Sequence, residues 1–389
     1  MKHESPFTRV VRAGGHGPAQ LPQTVGPPVV RGSTVLMPTA QALYDDGAVT
    51  YGRSGLSTQE TLIRALCDLE GAAGVRLFPS GIAAITAAMT AVLRAGDEVL
   101  VTDAIYKPTR RFCERVLRRF GVAVRYHHAA ATAAEILALA GPATRLIVLE
   151  SPGSLSFEMQ DVPEIARLAR ERRILTLIDN TWAAGLAFRP LDHGVDLSVQ
   201  SLTKFVGGHS DVFMGSAAAR DPALVQALDE TVIDFGWFVS ADDAYLMLRG
   251  LRTLATRMQR CAQSALTLAA WLRERPEVAQ VLHPALPGAP GHELWARDFD
   301  GGAGLFAIAL RPCPEAAVLA FLDALTLFGL GFSWGGFESL ALHCDPQLKV
   351  RDHEPNRPGP LVRLNIGLED PADLIEDLER GFAALSAAS

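Results

Sequence analysis

Between residues 57 and 220 the sequence alternates short apolar runs with helical stretches, and this alternation constrains the fold more than any other feature. Helices are predicted over 57–69, 83–94, 108–120, 132–139 (with Thr132 as its cap) and 162–170. Strands are predicted over 75–78, 98–102, 122–126, 145–149, 174–178 and 197–200. Strands this apolar, set between helices, need covering on both faces, so the expected class is α/β with a large, mostly parallel sheet. Ligands on such sheets gather outside the carboxyl ends of the strands. Polar residues fall at those ends here: Asp103, Glu150-Ser151, Asp179-Asn180 and Ser201-Thr203-Lys204.

The flanking segments differ in kind. Residues 1–55 are rich in Gly and Pro and show no strong helical period, which reads as an extended arm with turns at Gly14-Gly15 and Pro27-Pro28. Such an arm must pack on something, and a partner subunit is a reasonable candidate. A long helical stretch near 241–272 leads to strands at 305–310 and 361–366 and helices at 316–324 and 371–385, a smaller α+β unit. The expected division is an arm over 1–56, a large domain over 57–245 and a small C-terminal domain over 246–389.

Composition removes several classes of function. With 49% hydrophobic and 20% charged residues, the chain is a folded globular protein and not a disordered one. A net charge of -7 argues against a nucleic-acid coat. The one basic run, Arg110-Arg111 with Arg118-Arg119, has helical spacing and reads as a solvated helix face. Five cysteines, an odd number with no CxxC, suit reduced thiols in a cytoplasmic protein. No signal peptide, membrane-spanning run or metal-binding motif is legible, so the expectation is a cytoplasmic protein with no metal and no membrane or nucleic-acid partner.

Lys204 lies in SLTKFVGGHSDVFMG, just past an apolar strand. Desolvation there lowers an amine's pKa, and a neutral amine can condense with an aldehyde cofactor. By itself the residue also reads as a surface lysine closing a strand. Asp179 ends ILTLID, where it suits either a helix cap or the partner of a buried cation such as a protonated pyridine nitrogen. Ser80-Gly81-Ile82 open a helix, and free N–H groups with a glycine attract phosphate. Ser201 and Thr203 offer hydroxyls beside them. Tyr106 could stack on a flat cofactor or simply pack. Tyr51 and Arg53 sit in TYGRSG at the end of the arm, and arginine suits phosphate or carboxylate. Arg363 is a charge inside the apolar strand LVRLNIG, and its carboxylate partner could be protein or ligand.

Taken together, YGRSGLSTQETLIRALCDLEG, LFPSGIAAI, ESPGS, IDNTWAAG, SLTKFVGGHSDVFMG, RGLRTL, HPALPG and FSWGGFESL resemble the pyridoxal-phosphate (PLP) enzymes of Cys/Met metabolism, in order from about residue 7 to 385. The phrases DNTWAAG, ESPGS, HPALPG and SWGG point to the branch that cleaves cystathionine by β-elimination. The resemblance implies a PLP-dependent fold of type I and a homotetramer, a dimer of dimers with shared active sites. It implies that Lys204 binds the cofactor aldehyde, Asp179 pairs with the pyridine nitrogen and Tyr106 stacks on the ring as a further catalytic residue. Gly81, Ile82, Ser201 and Thr203 would hold the phosphate, with Tyr51 and Arg53 reaching it from the neighbouring subunit. Arg363 would bind the substrate carboxylate, helped by Ser333, Trp334 and Tyr51, while Asn180 would lie behind the cofactor. Phe332 and Phe205 stand where tyrosines are expected. Other expectations are γ-elimination or γ-replacement, desulfhydration of cysteine, or a regulatory protein on the same fold.

Overall fold

Seven strands build the large sheet: β1 (Gly74–Phe78), β2 (Glu98–Thr102), β3 (Ala123–His127), β4 (Thr144–Glu150), β5 (Leu175–Asp179), β6 (Leu197–Gln200) and β7 (Gly215–Ala219). The structure is a computed structural model and describes residues 5–14, 24–45 and 47–389. The spatial order is β1-β7-β6-β5-β4-β2-β3, and only β7 runs against the others. The apolar runs divide by the pleat of the strands. Leu100, Ile147, Leu149 and Ile178 bury on one face, and Val99, Val101, Leu146, Val148 and Leu177 on the other. Both faces are therefore covered, as such sequences require.

A second sheet follows, ordered β10-β11-β12-β9-β8, from β8 (Val278–Leu282), β9 (Leu305–Leu310), β10 (Gly329–Leu330), β11 (Leu340–His343) and β12 (Leu361–Asn365). Its apolar face closes over Phe306, Ile308, Val318, Phe321, Leu374, Leu378 and Phe382, packed with the helices Glu315–Asp323 and Pro371–Ala388. The 33-residue helix Ala241–Arg273 joins the two units. Leu251, Leu254 and Met258 belong to the core beside the large sheet, while Leu268 and Leu272 belong to the core of the small one. This helix runs straight through the expected boundary at 245/246.

Several expectations need correction. The predicted helix over 108–120 is a regular helix only over Lys107–Phe112; Cys113–Leu117 widens and Arg118–Phe120 tightens. Arg110 is not on a solvated face. It is 2% exposed, ion-paired to Asp103, Glu114 and Asp352, and stacked on the Tyr126 ring. β7, with the sequence GSAAA, carries no strand-forming side chains and was not anticipated, nor were β8, β10 and β11. Among the described residues of the arm, Pro6–Val11 forms a short α-helix, capped by Ser5, with Val10 buried. Of the expected arm turns, Gly14 has a left-handed backbone; Gly15 lies outside the described residues, as does part of the stretch read for a signal peptide. Among the described residues no helix is long and apolar enough to cross a membrane, and all five cysteines are unpaired.

Candidate active site

The carboxyl ends of β4, β5 and β6 open on a pocket of about 330 Å³. Its walls include Gly81, Ile82, Tyr106, Asp179, Ser201, Thr203 and Lys204 from the large sheet's loops and Ser333, Trp334 and Arg363 from the second unit. The site is therefore made by both halves of the chain. Ten of the twelve residues expected there from the sequence meet in this one place.

Lys204 follows the end of β6. Its Nζ donates to Ser333 Oγ at 2.8 Å and stands 5.3 Å from the centre of the Trp334 ring. Burial and the nearby Arg363 charge push the amine down to about 8, with Asp179 opposing them. A sizeable fraction of Lys204 is thus neutral near physiological pH. The following Phe205 is buried and packs against Trp334 with ring centroids 5.4 Å apart.

Asp179 ends β5, and burial pushes its carboxyl above the usual range. Thr181 gives it both a hydroxyl and a backbone hydrogen bond. The Thr181 hydroxyl oxygen also accepts from Ser201 N–H at 2.9 Å, tying the β5 and β6 loops together. Beside Asp179, in register on β4, lies Glu150, which accepts the Tyr106 N–H at 2.7 Å. Its carboxyl is pushed well up, first by burial and then by the Asp179 charge. Two neighbouring buried carboxyls need a cation between them or a shared proton. Tyr106 is 45% exposed, and burial and these two acids raise its phenol.

Gly81 opens the helix Gly81–Val92, with Ser80 capping it by accepting the Ala83 N–H at 3.1 Å. The first-turn N–H groups of Gly81 and Ile82 have no acceptor within the helix. A Cβ on Gly81 would come within 2.5 Å of the Ser201 side chain, so the space above these donors exists only because the residue is glycine. The Thr203 hydroxyl is already engaged, donating to Met214 O at 3.1 Å.

Arg363 sits in the middle of β12, 6% exposed. Its guanidinium donates to Phe332 O at 2.8 Å and Ser333 O at 3.1 Å, and burial lowers its pKa. No carboxylate pairs with it among the described residues, which leaves a charged group facing the pocket in need of an anion. Asn180 is buried behind the site, donating to Phe188 O at 3.0 Å.

Tyr51 and Arg53 are the two residues not brought to the pocket. Both are exposed, Arg53 lying over the Tyr51 ring at 5.4 Å, and neither lines the cavity. Thr181 was not singled out from the sequence, and Glu150 was named only as a polar residue at a strand end. Thr181 had a local signal, since a threonine two residues after an aspartate caps it; Glu150 had only its place at a strand end, because its partner Tyr106 lies 44 residues away.

A buried carboxyl, a partly neutral lysine amine and a helix start opened by glycine suit one class. This is an α/β enzyme fitted to an aldehyde cofactor that carries a phosphate. The chain belongs to the Cys/Met metabolism PLP-dependent enzymes, whose family model matches residues 7–383, and its cofactor is pyridoxal 5'-phosphate. It is 44% identical to a cystathionine β-lyase of Bordetella avium over 91% of each chain. It is 43% identical to an Escherichia coli cystathionine β-lyase over 87% of each. Among solved structures, a cystathionine γ-synthase of Xanthomonas oryzae pv. oryzae in complex with cystathionine superposes with a TM-score of 0.91, at 32% identity over the whole of both chains.

Proposed function

We propose that this enzyme is a carbon–sulfur β-lyase that cleaves L-cystathionine, with water, to homocysteine, pyruvate and ammonia in methionine biosynthesis. The observation that carries this reading is the approach of the two halves of the chain: Lys204 Nζ lies 2.8 Å from Ser333 Oγ, with Arg363 directly behind. Arg363 binds the substrate α-carboxylate, which replaces an anion it lacks. That contact, with Ser333 and Trp334, fixes the Cα–H bond toward Lys204. Bound pyridoxal phosphate supplies an electron sink for the pair left at Cα. Asp179 would pair with the ring nitrogen and keep its proton, and Tyr106 would stack on the ring. Gly81, Ile82 and Ser201 would hold the phosphate, with Thr203 beside them. Lys204 takes the Cα proton as general base and returns a proton to the departing sulfur.

Tyr51 and Arg53, exposed on the isolated chain, complete the phosphate end from a neighbouring subunit, in a cytoplasmic homotetramer. The likeness to a γ-synthase and the loss of a hydroxyl at Phe332 favour a second reading, γ-chemistry at the same site. Identifying the keto acid formed from L-cystathionine by the PLP-loaded enzyme decides between them. Pyruvate with homocysteine supports the β-lyase; 2-oxobutyrate with cysteine overturns it.

A further inference from the structure

A second cavity of about 510 Å³ opens beside the pocket and shares Tyr106, Ser154, Leu155 and Arg363 with it. Its walls are strongly cationic. The two carboxylates lining it, Asp103 and Glu114, are both engaged by Arg110, and Arg351 is held by Glu158. Lys107, Arg111 and Arg115 remain. All three are exposed, line this chamber, and their side chains make no ion pair or hydrogen bond among the described residues. They recur every fourth residue, so their charges stack along one side of the segment. Like charges at that spacing weaken a helix, so folding gives no reason for the arrangement. The remaining wall carries the apolar Phe332 and Val350 and the uncharged Gln347.

We propose that this chamber receives the leaving-group end of the substrate and selects thiols that end in a free carboxylate, disfavouring those that end in an ammonium. The inference rests on the β-lyase reading and deepens it. The α-carboxylate end is held by Arg363 at the junction of the two cavities. The sulfur substituent then extends past Phe332 to the Lys107–Arg111–Arg115 row. An anion there gains an attraction that no unpaired acid on the walls cancels, and a lone ammonium meets three like charges.

The test uses the PLP-loaded enzyme and three S-substituted L-cysteines: S-(3-carboxypropyl), S-propyl and S-(3-aminopropyl). Each would yield its thiol, pyruvate and ammonia on reaction with water, so one pyruvate assay reads all three. The expected order of kcat/KM is carboxypropyl, then propyl, then aminopropyl, with roughly thirtyfold or more between the extremes at low salt, shrinking as salt is added. In Arg111→Glu that ratio falls at least about tenfold. Pyruvate from all three at similar kcat/KM, or a ratio unchanged in Arg111→Glu, overturns the chamber and leaves the lyase reading standing. If no keto acid forms from any of them and none forms from L-cystathionine, the lyase reading fails. Calorimetric Kd values for the three compounds, then free of turnover, decide the chamber by the same ratio.

Discussion

Lys204 owes its chemistry to its surroundings. The same amine on an open surface would be almost wholly charged at neutral pH, and here burial and Arg363 bring it down to about 8. Capture of the cofactor aldehyde by the apoprotein needs the neutral amine. Its second-order rate should therefore climb about tenfold per pH unit below 8 and level off above it; stopped-flow absorbance checks this, and a rate still climbing at pH 10 would contradict the depressed amine. Lys204→Ala should abolish turnover together with the absorbance of the lysine-bound cofactor. Arg363 offers a different lesson, because its position in a buried strand leaves it nowhere else to send its charge. Arg363→Lys keeps the charge but loses the planar fork, and kcat/KM should fall on the order of a hundredfold, mostly through KM. A fall confined to kcat would show that Arg363 acts on the chemistry and not on the carboxylate.

The helices and strands around the site are positioned as much by small and polar residues as by apolar ones. Glu70, the last residue of the helix Ser57–Glu70, is buried against β6, where Ser198 donates to it at 3.1 Å and Gln200 donates to its other oxygen. Burial pushes its carboxyl up to about 7. A raised carboxyl binds its proton more tightly in the folded state, so its contribution is full below about 4.5 and is lost as pH rises through 7. Across that window the wild type should lose about 3 kcal/mol that Glu70→Gln keeps, as read by denaturant unfolding at fixed protein concentration. Gly81→Ala should weaken cofactor binding at least about tenfold, because the new methyl would meet Ser201 Cβ at 2.5 Å and its Cα at 2.9 Å and force that turn to shift.

At this scale the limits of reading a sequence are plain. Strands β2 and β6 and the Thr132 cap were legible because apolar period and capping are local signals. β7 was not, because it is chosen for what it lacks: a Cβ on Gly215 would lie 2.3 Å from Ser80 O, against the turn that leads into Gly81. Lys204, Asp179 and Arg363 could be picked out as charges at the ends or middles of apolar strands. The burial of Arg110 could not, since Asp103, Tyr126 and Asp352 converge on it only in the folded chain.

For the whole molecule, the placing of Tyr51 and Arg53 outside their own pocket makes assembly a condition of activity in the proposed reading. Mixing Lys204→Ala with Arg53→Ala protomers under conditions of subunit exchange should restore about a quarter of wild-type activity, because each hybrid dimer would carry one intact site. No recovery with demonstrated exchange would mean that each chain completes its own site. The long helix Ala241–Arg273 has a further consequence. Near its middle Arg257 donates to Phe205 O at 2.7 Å and Val206 O at 3.2 Å, gripping the loop that carries Lys204, while its far end is built into the second core. The two halves of the chain are therefore spliced through one continuous rod. Recombining this protein with its relatives by a crossover at 245/246 would join two parental sequences inside that rod. Such hybrids must match on both cores and on the lysine loop at once, so functional recombinants should cluster at crossovers after Arg273, where the rod has ended.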